Sequence, residues 1–466
     1  MPTLRRLLHS VWLWILLSLA LYLLLPLIFP LLPNYNAVPL ADVLTFTPTL
    51  LKGLGYALLV ALLYLFYLLA YHTARRAGLR LVHILGVSLL LALPLLFVYP
   101  INANDIFRYF IRGRLMTVYD ENPLAVAPRA FPDDPYLPLA GEWADESSPY
   151  GPVWELTAAG VTVLSGQNLL AALLLFKGLA LAAHLGSAVF IWRQQPAGRD
   201  RAGRTVLWAW NPALLFIFAV DAHNDALMLL WLLWGVDLLR RRRPIAGLLV
   251  ALLGPLTKLI GLLALPFLFL ETWRGQTDSG ARRRLLLGTG AGGFLLAALA
   301  FLPFGSPVDL VVRLLREASE APGFSPLTAL WLVAARNGVM LDIDVLGAAG
   351  IVALAALYIW LLWVTWRGRP AVRSIGDAFA GYLAAALAFR IWYTAWLFPW
   401  LLLENRPRRR LVAGLALLLA AQLSVVVYGH VRVFLFNYEQ AEAHVTGVLL
   451  VFALPLLLGV ARPGRR

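Results

Sequence analysis

The sequence predicts an all-helical protein that passes repeatedly through a membrane, and three observations carry that reading. Of its 466 residues, 61% are hydrophobic and 14% charged, and the mean hydropathy is +0.76, which lies outside the range of soluble globular chains. Apolar runs of helical length recur from one end of the chain to the other, as bilayer spans require. The basic residues gather in alternate connections between those runs, the asymmetry of the positive-inside rule. That asymmetry accounts for the net charge of +14, so nucleic acid is not needed as a partner. There is no cysteine, which excludes a disulfide framework, thiol chemistry and a cysteine-ligated metal.

The first run, Val11 to Leu32 behind Arg5 and Arg6, is too long for the core of a signal peptide and lacks a small-residue cleavage site. It is expected as the first membrane helix. Further runs predict helices near 54–71, 82–100, 168–191, 205–221, 224–239, 244–256, 258–271, 285–303, 345–366, 375–390, 391–404, 411–430 and 445–461. Several fall short of the ~20 residues that span a bilayer. The pairs 205–221/224–239, 244–256/258–271 and 375–390/391–404 are therefore expected as tilted, broken or re-entrant segments, giving about 12–14 spans or re-entrant helices. With both termini cytoplasmic, most arginines fall inside and most carboxylates outside. The long loops 33–53, 101–167 and 304–344 then face outward from a plasma membrane. No repeat, low-complexity tract or soluble-domain linker interrupts residues 1–466, which read as one integral membrane domain.

The stretch from Asn102 to Trp154 is the chemical exception in this apolar chain. It carries Asp105, Arg108, Arg112, Arg114, Asp120, Glu121, Asp133, Asp134, Glu142, Asp145 and Glu146 among Tyr, Pro and Gly. Charges and irregular backbone are costly in hydrocarbon, so it belongs at or outside one membrane face. The segment DIFRYFIRGRLMT reads as a short interfacial helix, with Ile106, Phe110 and Ile111 toward lipid and Asp105, Arg108 and Arg112 along the other stripe. Asp105 there is either a helix cap paired with Arg108 or a general base beside arginines that grip phosphate. Pro149 and Pro152 around Tyr150 and Gly151 predict a rigid turn into the next helix.

Other polar residues fall at the same outer face: His223, Asn224, Asp225, Lys258, Arg390, Trp392, Tyr393, Arg432 and His444. His223-Asn224-Asp225 opens a helix, where Asn or Asp also serves simply as a cap. Lysine occurs only at 52, 177 and 258. Lys258, between two short apolar helices, is a functional candidate because ionisable groups are expensive there, with snorkelling to the interface as the alternative. Lys177 and His184, seven apart on one helix, suit helix packing. Arg390, Trp392 and Tyr393 suit either an aromatic belt or a donor contact. Glu439, Glu442 and His444 are expected to be solvated.

Asp105-x-x-Arg108-Tyr109, Gly113-Arg114, Glu121-Asn122-Pro123 and Ser148-Pro149-Tyr150-Gly151-Pro152 together resemble the first large outer loop of polyprenol-phosphate-mannose-dependent mannosyltransferases. The resemblance is to the bacterial α-1,6-mannosyltransferase-like members of the GT-C glycosyltransferase superfamily. Asp221-Ala-His223-Asn224-Asp225 resembles their His-Asn-Asp helix start, and Lys258 with Pro266 their lysine-bearing short helix. The likeness covers roughly residues 95–270, with Leu124 where an aromatic is common and with Arg112 as an addition.

That resemblance implies a GT-C fold and an inverting transfer of a hexose, mannose first, from a polyprenyl-phosphate donor to a glycan or glycolipid acceptor. It implies Asp105 as the base that activates the acceptor. Arg112, Arg114, Lys258 and Arg390 are the candidates for holding the donor phosphate. Arg108, Tyr109, Tyr150, His223, Asn224, Asp225, Trp392 and Tyr393 are the candidates for sugar and acceptor. No cofactor is expected; a divalent metal through Asp133, Asp134 or Asp225 is considered but not favoured. The alternative class is a transporter or flippase of a lipid-linked sugar. It would spread ionisable groups through the midplane and show repeats, whereas here they concentrate at one face. A structural subunit of an envelope-assembly complex would not need the ordered polar motifs.

Overall fold

The structure, a computed structural model, describes residues 10–313, 323–404 and 408–460. Part of the predicted loop 304–344 and the terminal arginines lie outside the described residues. Among the described residues the chain is helical, and its β pairing is an isolated bridge between Pro30 and Val98. Among the described residues seven helices are long and apolar enough to cross a membrane, eight with one bent pair counted as a span, and five shorter apolar helices accompany them. These agree with the expected 12–14 spans or re-entrant helices, several of them short or broken. Residues 244–271, for example, form helices of 14 and 10 residues on either side of a 3-10 turn.

Two compact units are distinguished, Met1–Asp42 with Leu65–Arg316 and Val43–Tyr64 with Glu317–Arg466. In chain order the helices of the first are α1 (Val11–Ile28), the later part of α2 (Leu50–Ala77), α3 (Leu81–Ala92), α4 (Asp105–Thr117), α5 (Pro152–Leu164) and α6 (Leu169–Gln194). There follow α7 (Arg199–Ala209), α8 (Asp225–Arg240), α9 (Pro244–Thr257), α10 (Leu265–Arg274) and α11 (Ser279–Phe301). Starts are set locally: Asn168 caps α6 by accepting from Ala171 N, Asp278 caps α11 by accepting from Ala281 N, and Pro152 and Pro244 open α5 and α9. These are the residues that helix starts favour. Asp105 is not the cap of α4; Asn104 occupies that position, without a side-chain capping bond.

A break after α7 positions the site. The chain bends by 42° at Trp210–Asn211, where Asn211 caps the next turn by accepting from Ala213 N at 3.0 Å. That turn passes into a π-helical segment, Phe216–Val220. A broken helix in an apolar setting must satisfy its freed carbonyls internally. Ala209 O accepts from Ser88 Oγ at 2.6 Å and lies 3.2 Å from His184 Nε2. Lys177 Nζ donates to the carbonyls of Val98, Ala219 and Val220. Lys177 and His184 therefore hold the break together, which is the packing role expected of them.

The second unit contains the first part of α2 and α12 (Pro326–Arg336), α13 (Ile343–Trp366), α14 (Ala371–Ala385), α15 (Thr394–Leu403), α16 (Arg408–Val426), α17 (Gln440–Val448) and α18 (Leu454–Val460). Glu404 is bound by Arg410 at 2.9 Å and by Arg373 at 3.1 Å. At its other end Glu442 pairs with Arg336, and His444 is buried with Nε2 3.2 Å from Gly323 O. The expectation that Glu442 and His444 are solvated is corrected, because α17 packs on α12. Glu439 is exposed.

Candidate active site

Asp105 opens α4, and most of α4 is buried. Ile106, Phe110 and Ile111 are buried, so the expected lipid-facing stripe is overturned. α5 packs against it, and Gly113 lies so close to α5 that a Cβ there would strike Thr162 and the Ala158 carbonyl. Apolar positions turned toward protein and toward lipid carry the same residues, so the sequence pattern could not separate them.

The carboxylate of Asp105 is 4% exposed. Arg108, one turn on, lies 2.8 Å from its Oδ1 and also donates to Asn104 Oδ1 at 2.7 Å. On the other side His223 Nδ1 lies 3.5 Å from Asp105 Oδ2 and 3.8 Å from Asp225 Oδ2. Lys258 Nζ lies 2.9 Å from both oxygens of Asp225. Four groups separated by up to about 150 residues of sequence thus lie in one row, Asp105–His223–Asp225–Lys258. Burial pushes the Asp105 carboxyl up, but the positive charge around it, Arg108 first, outweighs that and holds it below the usual carboxylate range. Burial pushes the His223 imidazole down to about 4, so it is neutral near pH 7.

Backbone features set this arrangement. Asp221 accepts from Ile101 N at 3.1 Å, Asn102 N at 3.3 Å and Asn102 Nδ2 at 2.8 Å, tying the approach to Asp105 to the end of the π segment. Ala222 then takes a φ of 55°, a costly left-handed conformation for a side chain with a Cβ, and reverses the chain into His223. Asn224 makes no side-chain capping bond, and its amide atoms are buried without a hydrogen-bond partner among the described residues. The simple cap reading of His223-Asn224-Asp225 therefore fails.

The Ser148–Pro152 turn closes the site. Gly151 N donates to Thr257 O at 3.0 Å, and a Cβ on Gly151 would collide with the Leu256 carbonyl. The turn is thereby fixed against the end of α9, one residue before Lys258. The Tyr150 ring lies beneath two cations, 5.7 Å from the Arg112 guanidinium carbon and 5.7 Å from Lys258 Nζ. Tyr109 packs edge-on to Tyr150 and Trp154 at 5.5 and 4.6 Å, and its hydroxyl faces the Asn224 amide at 3.5 Å. Arg112 is 1% exposed and donates to Ser147 O at 3.2 Å. Its Nε and Nη1 have no hydrogen-bond partner among the described residues, which makes it a buried cation with donors to spare.

Other expected residues have their own partners. Arg114 donates to Asp134 Oδ2 at 3.0 and 2.9 Å and to Gln167 Oε1 at 2.9 Å; Tyr119 also donates to Asp134. A carboxylate fills the fork expected to take phosphate. Arg390, Trp392 and Tyr393 belong to the second unit, where Tyr393 stacks on Trp396 at 4.0 Å. Asp134 and Asp225, considered for a metal, are each engaged by a cation. Among the described residues no group of three His, Asp or Glu is placed to hold a metal. Arg313 is a buried residue that sequence reasoning missed: it meets Glu146 at 3.2 Å and donates to the same Ser147 carbonyl at 3.2 Å. Nothing in its local sequence marks that long-range contact.

Residues 30–274, which contain Asp105, Arg112, Tyr150, His223, Asp225 and Lys258, match the family described as alpha-(1->6)-mannopyranosyltransferase, N-terminal domain. The chain belongs to that family. Among relatives, alpha-(1->6)-mannopyranosyltransferase A of Mycobacterium tuberculosis is 30% identical over 179 residues, 38% of this chain and 34% of the relative. A second alpha-(1->6)-mannopyranosyltransferase of that organism is 25% identical, covering 78% of this chain and 72% of the relative. Alpha-(1->6)-mannopyranosyltransferase B of Corynebacterium glutamicum is 24% identical, covering 65% and 56%. The chain spans about a third of the length of the first of these and nearly three quarters of the second. No solved structure matches the chain at a significant level. Membership of the mannopyranosyltransferase family agrees with the GT-C resemblance and with an all-helical, multi-pass membrane protein.

Proposed function

We propose that the protein is a membrane α-(1→6)-mannosyltransferase that takes its sugar from a polyprenyl phosphate at the extracytoplasmic face. The observation that carries this is the Asp105 carboxylate, buried with the Arg108 guanidinium 2.8 Å away and other cations near it. The family and the names of its relatives support the sugar and the linkage.

The chemistry follows from the arrangement. The acceptor hydroxyl gives its proton to Asp105 as its oxygen attacks the anomeric carbon from the face opposite the phosphate. The bond from that carbon to the phosphate oxygen breaks, and its electron pair leaves with the polyprenyl phosphate. One displacement inverts the anomeric centre, so an α product requires a β-linked donor. Arg112 offers free, buried donors to the developing phosphate charge, and Lys258 adds a second cation; such preorganised charge acts most strongly where water is excluded. Arg108 orients Asp105, while His223 and Asp225 couple it to Lys258. Arg114 is left out of this assignment because Asp134 occupies it. Arg390 remains a proposed contact of the donor phosphate, and Trp392 and Tyr393 remain proposed contacts of sugar or acceptor, on the strength of their residue types alone.

The test is transfer by purified protein in liposomes, supplied with either β-mannosyl polyprenyl phosphate or GDP-mannose and an octyl α-mannoside acceptor. An α-(1→6) product from the lipid donor alone is expected. Use of the nucleotide sugar would overturn the donor, and movement of the lipid donor across the bilayer without transfer would favour a flippase.

A further inference from the structure

Asp105 has a wet side and a dry side. The dry side is His223 and Asp225, both fully buried. On the other side Arg108 lies under an indole: its guanidinium carbon is 4.7 Å from the centre of the Trp143 ring. Trp143 is half-buried and Glu142 is exposed, and the indole Nε1 donates to Glu142 Oε1 at 2.8 Å. Arg108 thus joins Asp105 to a pair that is open to water.

The backbone is bent to present them. Residues Leu137–Trp143 form a 3-10 segment interrupted at Gly141, with φ 56° and ψ −135°. A Cβ at Gly141 would meet nothing within 4 Å, so the left-handed φ, and not crowding, is what calls for glycine. That kink turns Glu142 and Trp143 back over α4. The bond from Arg108 to Asp105 then fixes the ring's distance from the carboxylate. A flat, rigid aromatic surface with a carboxylate at its edge suits a pyranose, whose axial C–H face is apolar and whose rim is hydroxyls that donate to carboxylate.

We propose that Trp143 and Glu142 form the subsite for the acceptor sugar, the indole stacking on the pyranose and Glu142 accepting from its hydroxyls. Arg108 is the positioning residue that links this subsite to Asp105. The inference rests on the transferase reading above and extends it from the base to what the base acts upon.

The test compares Trp143→Ala, Trp143→Phe and Glu142→Gln in liposomes, with β-mannosyl polyprenyl phosphate as donor and octyl α-mannoside as acceptor. Trp143→Ala should raise the acceptor KM roughly tenfold or more, the change that ~1.4 kcal/mol of lost contact produces. Its kcat and its donor KM should stay near those of the unaltered protein. Trp143→Phe keeps a ring and should restore most of the acceptor affinity, and Glu142→Gln should raise the acceptor KM several-fold. An unchanged acceptor KM in Trp143→Ala overturns the subsite while leaving the transferase standing. A fall in kcat with unchanged acceptor KM also overturns it, because the indole would then act only through Arg108. Absence of transfer by the unaltered protein overturns both readings.

Discussion

Lys258 and Asp225 meet across 33 residues of sequence, the ammonium 2.9 Å from each carboxylate oxygen. Asp225 is fully buried and Lys258 nearly so. A buried pair of this kind owes its survival to both partners, since removing one leaves a charge uncompensated at a cost of about 3–5 kcal/mol. Lys258→Met should therefore lower the thermal midpoint sharply, and adding Asp225→Leu to it should recover most of the loss. Transfer should stay lost in the double variant, because the cation proposed for the phosphate is still missing. Normal turnover in the refolded double variant would remove Lys258 from the donor site.

Gly151 makes a second prediction about the same corner. Its amide holds the Thr257 carbonyl, and a methyl group there has to displace the end of α9. Gly151→Ala should cost about 1–3 kcal/mol through overpacking and shift Lys258 away from Tyr150. Reduced transfer with a lowered thermal midpoint is expected; a variant as stable and active as the parent would mean that the turn does not set the site.

Much of this corner was legible in the sequence. His223, Asp225 and Lys258 stand out in an apolar chain because each ionisable group there is expensive and so has a reason to be present. The helix from Asp105 was legible as a helix but not as a buried one, and the turn at Tyr150 was legible from Pro149 and Pro152. Arg313, Asp221 and Trp143 were not, since their partners lie on other segments and no spacing links them. Arg114 looked like Arg112 until Asp134, twenty residues away, was found in its fork. The broken helices were legible too, because apolar runs shorter than a bilayer is thick cannot each cross it alone.

Acid should destabilise the fold in two stages. His223 is pushed down to about 4 by burial, whereas in the unfolded chain a histidine titrates near ~6.5. Between those values the unfolded state binds the extra proton, so stability falls as pH falls. Asp105, held below its ordinary value, contributes stability that is full above its unfolded pKa and is lost as pH drops through the lower folded one. Thermal midpoints in detergent from pH 7.5 downward should therefore decline first through the histidine window. His223→Gln should flatten that upper part while leaving the steeper loss at lower pH. A parent protein whose midpoint is constant between pH 6.5 and 4.5 would contradict the buried neutral imidazole.

Orientation is open to direct labelling because the chain has no cysteine. Asp133, Gln440, Ala197 and Thr277 are all exposed, so a single cysteine at any of them is accessible from one side or the other. Asp133→Cys and Gln440→Cys should react with an impermeant maleimide added to intact cells. Ala197→Cys and Thr277→Cys should react only after the membrane is opened. The reverse pattern would move the proposed site to the cytoplasmic face and exclude a donor presented outside.

Asp105→Asn is the decisive substitution for the mechanism. The asparagine keeps the size of the side chain and still accepts from Arg108, but it cannot take a proton from a hydroxyl at neutral pH. If the carboxylate serves only to hold Arg108, the conservative change should leave turnover within a few-fold of the parent. As the base, it should cut transfer by a factor of ~10²–10⁴, the usual share of a positioned proton acceptor. Donor binding, followed separately by tryptophan quenching with β-mannosyl polyprenyl phosphate, should persist in the variant, since Arg112 and Lys258 are untouched. The split between retained binding and lost transfer is what distinguishes a base from a support. Near-parental turnover in Asp105→Asn would withdraw the role from Asp105 and turn attention to Asp225, the next carboxylate along the same row.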